Sequence, residues 1–557
     1  MARVINGVLV INATPTEASK IKGVCEVLHE QVVNGVAYLA VAHTVENNRT
    51  LRVLGVDLIG CEVLRHQYTY PLLDGDKPPF AAQIETASFL SERPRAFCAS
   101  QPRTGKTSAV IASADFLMRS GVCKKTLIVA PLAVAQVTWP KEVMALLNER
   151  VMVIHGTAEK RKHLLAQEAR FYLINPDGLK ILKDDIAKMV RTGELGVIVF
   201  DESSEYGNTK SQLWQAADYL VNKCRVKYAW TLNGTPGNPA KVYGQAKLLY
   251  PRNNAGTLKT WQSRTMCMKP TKIPVRDKNG VVVDEREVAV YSPWPDGTLH
   301  AEMAAEACFE LLQPCIRFEQ SQVYASTPVI THRVRTEMGK EQARAYAILA
   351  NKDKGGILVT DQYGQTSLEI PDNASDKVSK LLQISSGAVR TNQGIIEYPM
   401  APKIDKLMEI INGTPNKVLV FASYTAVINR LVRELTAKGV QCNKMDGEVT
   451  GKDRVNLVQE FMEQDDIRVI IAHPKTAAWG LELARADTIV YFGAMRSGDV
   501  LYQQSLERVS SAKQQADVIN IYHLSSSTAD ERSFAALESK VVAGRGLTVA
   551  LRDLEEQ

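Results

Sequence analysis

Long apolar runs are missing from this chain. The longest, around Thr126–Val137, falls short of the roughly 18 residues a membrane span needs, and Pro131 interrupts it. The opening MARVINGVLVINATP lacks the apolar core and small-residue cleavage site of a secretory leader, so no membrane partner and a cytoplasmic location are expected. Cysteine pairing is missing too. The nine cysteines are odd in number and scattered from Cys25 to Cys442, with no CxxC pair and no Cys/His spacing suited to zinc. That excludes a disulfide framework and a zinc module, and points to reduced thiols. Nor does one charge dominate. Lys and Arg total 67 against 61 acids, a balance of +6 that is compatible with a nucleic-acid partner without demanding one. Internal repeats and low-complexity linkers are also absent.

What is present is globular texture. The chain has 557 residues, 45% of them apolar and 23% charged, enough for three or four domains. Residues 1–75 read as a small α+β accessory module. Arg3–Ile11 and Val36–His43 are rich in strand formers, and Thr14-Pro15-Thr16-Glu17 is a helix start with a capping box. Its charge is balanced, so a packed module is expected rather than a basic arm, and His43 is expected to be packed.

From about residue 79 short apolar runs alternate with helical patterns: Ala96–Ala99, Thr126–Ala130, Val151–Ile154, Phe171–Ile174, Gly196–Phe200 and Tyr228–Leu232. Strands buried on both faces and alternating with helices imply a parallel α/β sheet. A hairpin around Asn279-Gly280 and a helix at His300–Leu312 form a connector over 263–335. A second series follows at Val418–Phe421, Val440–Lys444, Val469–Ala472, Thr488–Phe492 and Val518–His523. The expected fold is α/β, with two parallel-sheet lobes, 76–262 and 336–557, facing a cleft.

Three motifs carry chemistry. Ser100-Gln101-Pro102-Arg103-Thr104-Gly105-Lys106-Thr107 lies between a strand and a helix, where backbone N–H groups and a helix N-terminus converge on phosphate. Lys106 suits the β- and γ-phosphates and the Thr107 hydroxyl suits Mg2+, although Ser100 stands where GxxxxGK[ST] has glycine. Asp201-Glu202 ends a buried strand, where α/β sheets place ligands. There Asp201 can bind Mg2+, and Glu202 can orient and deprotonate a water; the alternative is a solvated Asp-Glu pair. Asn233-Gly234-Thr235-Pro236, also at a strand end, is by itself an ordinary turn.

Together with Pro79–Gln83, Ile128–Leu132, Ile174–Gly178, Val418–Phe421, His473–Leu481 and Tyr502–Arg508, in order over some 460 residues from about Phe80 to Lys540, these motifs resemble superfamily-two helicases and translocases of the SWI/SNF-type branch, most closely the versions encoded by bacteriophages. The resemblance implies two RecA-like lobes clamping ATP and Mg2+, an ATPase driven by nucleic acid, and a host-cytoplasm location if the gene is phage-borne. It implies that Gln83 reads adenine, that Arg103, Thr104, Gly105, Lys106, Thr107 and Ser108 bind ATP, and that Gln504 and Arg508 complete the site. Gly234, Thr235 and Gly480 are implied as coupling residues. Pro131, Trp139, Asn175, His473 and Thr476 are implied to contact, or support contact with, a nucleic-acid backbone; for Trp139 the alternative is a packed core side chain.

One departure stands out. Ser511 occupies the position of the family's second motif VI arginine, with Arg496 the best substitute and Lys513 a poor one. Three readings follow: a translocase on duplex DNA, a strand-separating DNA or RNA helicase with the 275–283 hairpin as wedge, and a weakly hydrolysing ATP-gated DNA-binding protein. A monomer is favoured.

Overall fold

The computed structural model describes residues 2–71, 78–132, 134–234, 237–276, 282–295, 298–325, 327–351, 355–360, 365–449, 451–477, 483–495, 502, 505, 509 and 514–538. They fall into two compact units that divide after Val323.

The first unit opens with an antiparallel sheet of β1 (Ala2–Ile5), β2 (Val8–Ala13), β3 (Val27–Val33) and β4 (Val36–Ala42), in the order β1-β2-β4-β3. Asn6-Gly7 and Asn34-Gly35 make its turns, with φ of 49°, 76°, 49° and 80°. Positive φ at both central residues is what two-residue turns between right-twisted strands require. The stretch Arg3–Ile11, expected as one strand, is therefore a hairpin, and β3 is an additional strand. The helix α1 (Pro15–Lys22) starts at the expected capping box: Thr14 Oγ1 accepts from the Glu17 N–H at 3.4 Å and Glu17 Oε2 accepts from the Thr14 N–H at 2.8 Å.

Two helices, α2 (Val45–Val53) and α3 (Val63–Gln67), carry this module onto the larger sheet, where Val45, Val63 and Leu64 share a core with Leu90 and Trp230. His43 is packed as expected, its Nε2 2.8 Å from the Cys61 carbonyl oxygen. Beside these contacts lies the buried carboxylate of Glu92, just past α4 (Ala81–Ser91). Its Oε1 accepts from Asn48 Nδ2 at 2.7 Å and from the Val63 N–H at 2.8 Å, and its Oε2 accepts from Arg52 Nη2 at 2.8 Å.

The large sheet of this unit alternates strands with helices: β5 (Arg95–Cys98), α5 (Lys106–Arg119), β6 (Lys125–Val129), α6 (Trp139–Leu147), β7 (Met152–Ile154), α7 (Ala158–Leu165), β8 (Phe171–Ile174), α8 (Pro176–Arg191), β9 (Leu195–Asp201) and β10 (Tyr228–Leu232). The six expected strands are all present, with ends shifted by one residue at most. β11 (Cys267–Arg276) and β12 (Val282–Ser292) pair as the expected antiparallel hairpin; its Asn279-Gly280 turn lies outside the described residues. β13 (Cys315–Ile316) then pairs with β5, giving the all-parallel order β13-β5-β10-β9-β6-β8-β7 among the described residues.

The second unit begins its sheet with β14 (Val329–Arg335), which like β13 falls inside the 263–335 stretch. Two small hairpins follow, β15 (Ile357–Thr360) with β16 (Thr366–Glu369) and β17 (Ala388–Thr391) with β18 (Gly394–Glu397), around a core of Leu349, Ile357, Val389 and Tyr398. Then come β19 (Lys417–Phe421), β20 (Cys442–Met445), β21 (Val469–Ala472), β22 (Ala486–Tyr491) and β23 (Ile519–Ser525), in the parallel order β14-β23-β22-β19-β21-β20. Leu407 and Leu431 cover one face of this sheet and Phe461 the other. The chain is thus α/β, with two parallel sheets and an α+β module ahead of the first. Among the described residues no helix is long and apolar enough to cross a membrane.

Two outcomes test this packing. Removing a partner from a buried charged pair costs about 3–5 kcal/mol. Glu92→Ala is therefore expected to lower the denaturation midpoint strongly and to open residues around Arg49 and Arg52 to trypsin; a midpoint unchanged from wild type would show that the module is held by other contacts. In the second unit, His523 is buried on β23, stacked on Phe534 at 4.2 Å between ring centroids, with the Tyr502 hydroxyl 2.7 Å from Nε2. Burial pushes its pKa down to about 4, against the weaker upward pull of Glu538. An unfolded histidine titrates near 6.5. As pH falls between those values the unfolded chain takes up a proton the fold refuses, so stability is full above about 6.5 and declines toward 4. His523→Phe should flatten the fall in melting temperature between pH 7 and 5; an unchanged slope assigns it to another group.

Candidate functional site

The order β5-β10-β9-β6 sets four strand ends side by side on one edge of the first sheet. The loops that follow them carry the three motifs and Pro131. Strand interiors here are apolar and closed, so polar chemistry is confined to that edge.

The loop after β5 turns left-handed twice, at Arg103 (φ 69°) and Gly105 (φ 83°). Lys106 opens α5, and its Nζ donates to the carbonyls of Ser100 and Gln101, both at 2.7 Å, which draws the ammonium into the loop. Thr104 Oγ1 donates to the Gln101 carbonyl at 2.8 Å. Thr107 sits half-buried in the first turn of α5. Ser100 has a role that glycine could not fill. Its Oγ accepts from the Phe318 N–H at 3.0 Å, the Gln101 N–H donates to the Phe318 carbonyl at 2.8 Å, and Gln320 Nε2 donates to the Pro102 carbonyl at 2.9 Å. The loop is tied along its first half to the segment after β13.

Gln83, on α4, is buried. Its Oε1 accepts from the Phe80 N–H at 2.7 Å, and its amide lies against Gly105, where an added Cβ would come within 2.4 Å of Nε2. It lines a small cavity with Tyr70, Pro79, Ser108 and Ile111. Gly234 faces the same loop: a Cβ there would stand 2.7 Å from Pro102 Cδ and 3.2 Å from the Ser100 carbonyl.

Asp201 ends β9. Its Oδ1 accepts from the Glu202 N–H and its Oδ2 from Trp139 Nε1, each at 3.0 Å. Burial pushes its carboxyl above the usual carboxylate range, while the Trp139 N–H, the Lys106 charge and the Glu202 N–H pull it back. Glu202 adopts left-handed backbone, φ 54° and ψ 53°, unusual for a non-glycine residue. Ser203 Oγ donates to Gln245 Oε1 at 2.8 Å and fixes the turn that follows.

The expected nucleic-acid residues fall in other settings. Trp139 takes the packed alternative: it is fully buried, and its indole N–H is directed at Asp201. Pro131 is half-buried at the end of β6. Asn175 caps α8, its Oδ1 accepting from the Gly178 N–H at 3.2 Å and from Arg161 Nη1 at 2.8 Å. In the second unit, His473 Nε2 lies 3.1 Å from the Ser423 carbonyl oxygen, and Thr476 Oγ1 donates to the carbonyls of His473 and Met445 at 2.7 and 3.0 Å. These side chains shape their own loops. Thr235, Gly480, Arg496, Gln504, Arg508, Ser511 and Lys513 lie outside the described residues. The tie to Phe318 and Gln320 and the bond from Trp139 to Asp201 were not foreseen; the serine in place of glycine was the one sequence mark of the first.

The SNF2-related domain family matches residues 83–402, more than half of the chain, and the helicase conserved C-terminal domain family matches 402–513. The chain belongs to the SNF2-related family. As an SNF2-related protein it is a nucleic-acid-dependent ATPase that binds ATP, with helicase-type domains. It is 26% identical over 426 residues to the putative protein p41 of Acyrthosiphon pisum secondary endosymbiont phage 1, covering 74% of this chain and 84% of p41. It is 21% identical over 441 residues to a Caenorhabditis elegans homolog of the SWI/SNF-related, matrix-associated, actin-dependent regulator of chromatin subfamily A containing DEAD/H box 1. That match covers 69% of this chain and 43% of the worm protein, so the chain spans less than half of that relative. Among solved structures, the Sulfolobus solfataricus SWI2/SNF2 ATPase core in complex with dsDNA is 18% identical, with a TM-score of 0.38, over 88% of this chain and 98% of that one.

The contact between Gly234 and the loop yields a test within this SNF2-related site. Overpacking costs about 1–3 kcal/mol. Gly234→Ala is expected to displace Pro102 and raise the KM for ATP roughly tenfold, with the melting temperature little changed. An unaltered KM would show that the loop yields freely.

Proposed function

We propose that this SNF2-related ATPase couples ATP hydrolysis to movement along duplex DNA, contacting the phosphate backbone without reading sequence. The observation that carries the chemistry is the convergence of the Lys106 loop, the half-buried Asp201 carboxylate and Glu202 on one sheet edge. Hard oxygen donors beside a lysine-bearing phosphate loop fit Mg2+ with ATP phosphates. In this reading Thr107 and Asp201 hold the metal ion, which supplies charge neutralisation on the phosphates. Lys106 exchanges its two carbonyl partners for phosphate oxygens. Glu202, held out by its left-handed backbone, accepts the proton of the attacking water. Gln83 packs against Gly105 of the loop, which supports its reading adenine. The kinship with chromatin regulators supports duplex DNA as the track.

A strand-separating activity is the second reading, favoured by the long antiparallel hairpin of β11 and β12. ATP hydrolysis measured with no nucleic acid, single-stranded DNA, duplex DNA and RNA tests the proposal, with the largest stimulation expected from duplex DNA. Displacement of a third strand without unwinding of a fork supports translocation; fork unwinding supports the second reading. Lys106→Ala should abolish turnover. Glu202→Gln should retain ATP and DNA binding while hydrolysis falls by roughly 10²-fold or more; loss of ATP binding instead would make Glu202 structural.

A further inference from the structure

The buried Trp139 stands at a junction. It is the first residue of α6 and follows a π-helical turn at Val134–Thr138, the irregular form that helices tend to adopt at functional positions. That turn belongs to the loop leaving β6 after Pro131. The indole Nε1–H is directed at Asp201 Oδ2 at 3.0 Å, while Oδ1 is engaged by the Glu202 N–H. Three residues further along α6, Glu142 Oε2 accepts from Ser108 Oγ at 3.1 Å, and Ser108 lies on the helix that Lys106 opens. One short helix thus touches both halves of the site, the carboxylate through Trp139 and the phosphate-loop helix through Glu142.

We infer that Trp139 is a positioning residue: its indole N–H orients the Asp201 carboxylate for Mg2+ and makes that orientation depend on the loop between β6 and α6. The inference rests on the reading of Asp201 as a metal-holding group. An aspartate with both oxygens engaged by fixed donors has one rotamer available, and the lone pairs left over on each oxygen point in set directions. Without the indole donor, one oxygen of this half-buried carboxylate loses its hydrogen bond and the side chain gains freedom about χ2. Phenylalanine would fill most of the indole's volume and keep the core shared with Val143 and Leu146, but it has no donor. Displacement of the 134–138 turn by anything bound to that loop would act on the carboxylate through the same bond.

The test uses the full chain and binding rather than turnover. Half-saturation by Mg2+ is read from the binding of a fluorescent ADP in wild type, Trp139→Phe and Asp201→Asn. A hydrogen bond to a charged group is worth about 1.5–3 kcal/mol, so Trp139→Phe should need at least tenfold more Mg2+ while metal-free nucleotide affinity is kept. Asp201→Asn keeps the reading separable. If it leaves Mg2+ dependence unchanged, Asp201 does not hold the metal; if it shifts that dependence and Trp139→Phe does not, the role of Trp139 is overturned. Because Trp139→Phe could lower stability, the wild-type indole 15N–H resonance gives an independent readout. The Trp139 signal should shift when Mg2+ and ADP are added together and stay put with ADP alone. A signal indifferent to both would also overturn the inference.

Discussion

A parallel sheet presents all its strand ends on the same edge, and the rest of this site depends on that constraint. The chain leaves β5 through α5 and returns as β6, passing over two strand positions that β9 and β10 later fill. Crossovers of one hand permit this without tangling. The insertion brings Asp201 and Gly234, far from Lys106 in sequence, to neighbouring strand ends. Because β9 and β10 are buried on both faces, their residues are free to be chemically specific only where they emerge. Asp201 ends β9 level with Leu232 of β10, and Asn233 follows one residue beyond, so both emerge at the same edge.

The same constraint makes the site costly. A carboxylate at the mouth of a closed sheet is desolvated, which disfavours its charged form. Asp201 is held by two N–H donors and the nearby Lys106 charge, which oppose that cost without cancelling it. Strain is concentrated here as well. Arg103 and Glu202 are two of six non-glycine residues with positive φ among the described residues, and both lie in loops at this edge. Such conformations cost of order 1–3 kcal/mol each and persist where the surroundings enforce them. The Phe318 and Gln320 tie enforces one, and the paired Asp201 and Ser203 enforce the other.

These origins explain what the sequence made legible. Strands buried on both faces are continuous apolar runs, so Phe171–Ile174 and Tyr228–Leu232 are found with their observed ends. The places of Lys106, Asp201 and Glu202 are legible because each follows such a run at a strand end. The Asn6-Gly7 dipeptide carries the same turn signal as 279–280, and a single strand over Arg3–Ile11 overlooks it. β3 is an exposed edge whose residues do not alternate. β13 is two residues long, and only its pairing with β5 makes it a strand. Trp139 is illegible for a different reason: a tryptophan past a buried strand has the same letters whether its ring fills the core or its N–H holds a carboxylate, and here it does both.

Ser100 shows that the phosphate loop is not a local object. A glycine at that position would let the backbone turn but would leave the Phe318 N–H without its oxygen, on a partner 218 residues away. With Ser100, Gln101 and Pro102 tied to 318–320 and Lys106 fixed in α5, the stretch 103–105 sets where the loop's N–H groups point. Its two left-handed residues and the Gln83 amide pressed on Gly105 limit that stretch to few conformations. The segment that holds the loop also leads the chain out of the first unit at Val323. The loop is therefore held both from within its own sheet and from the segment with which the first unit ends.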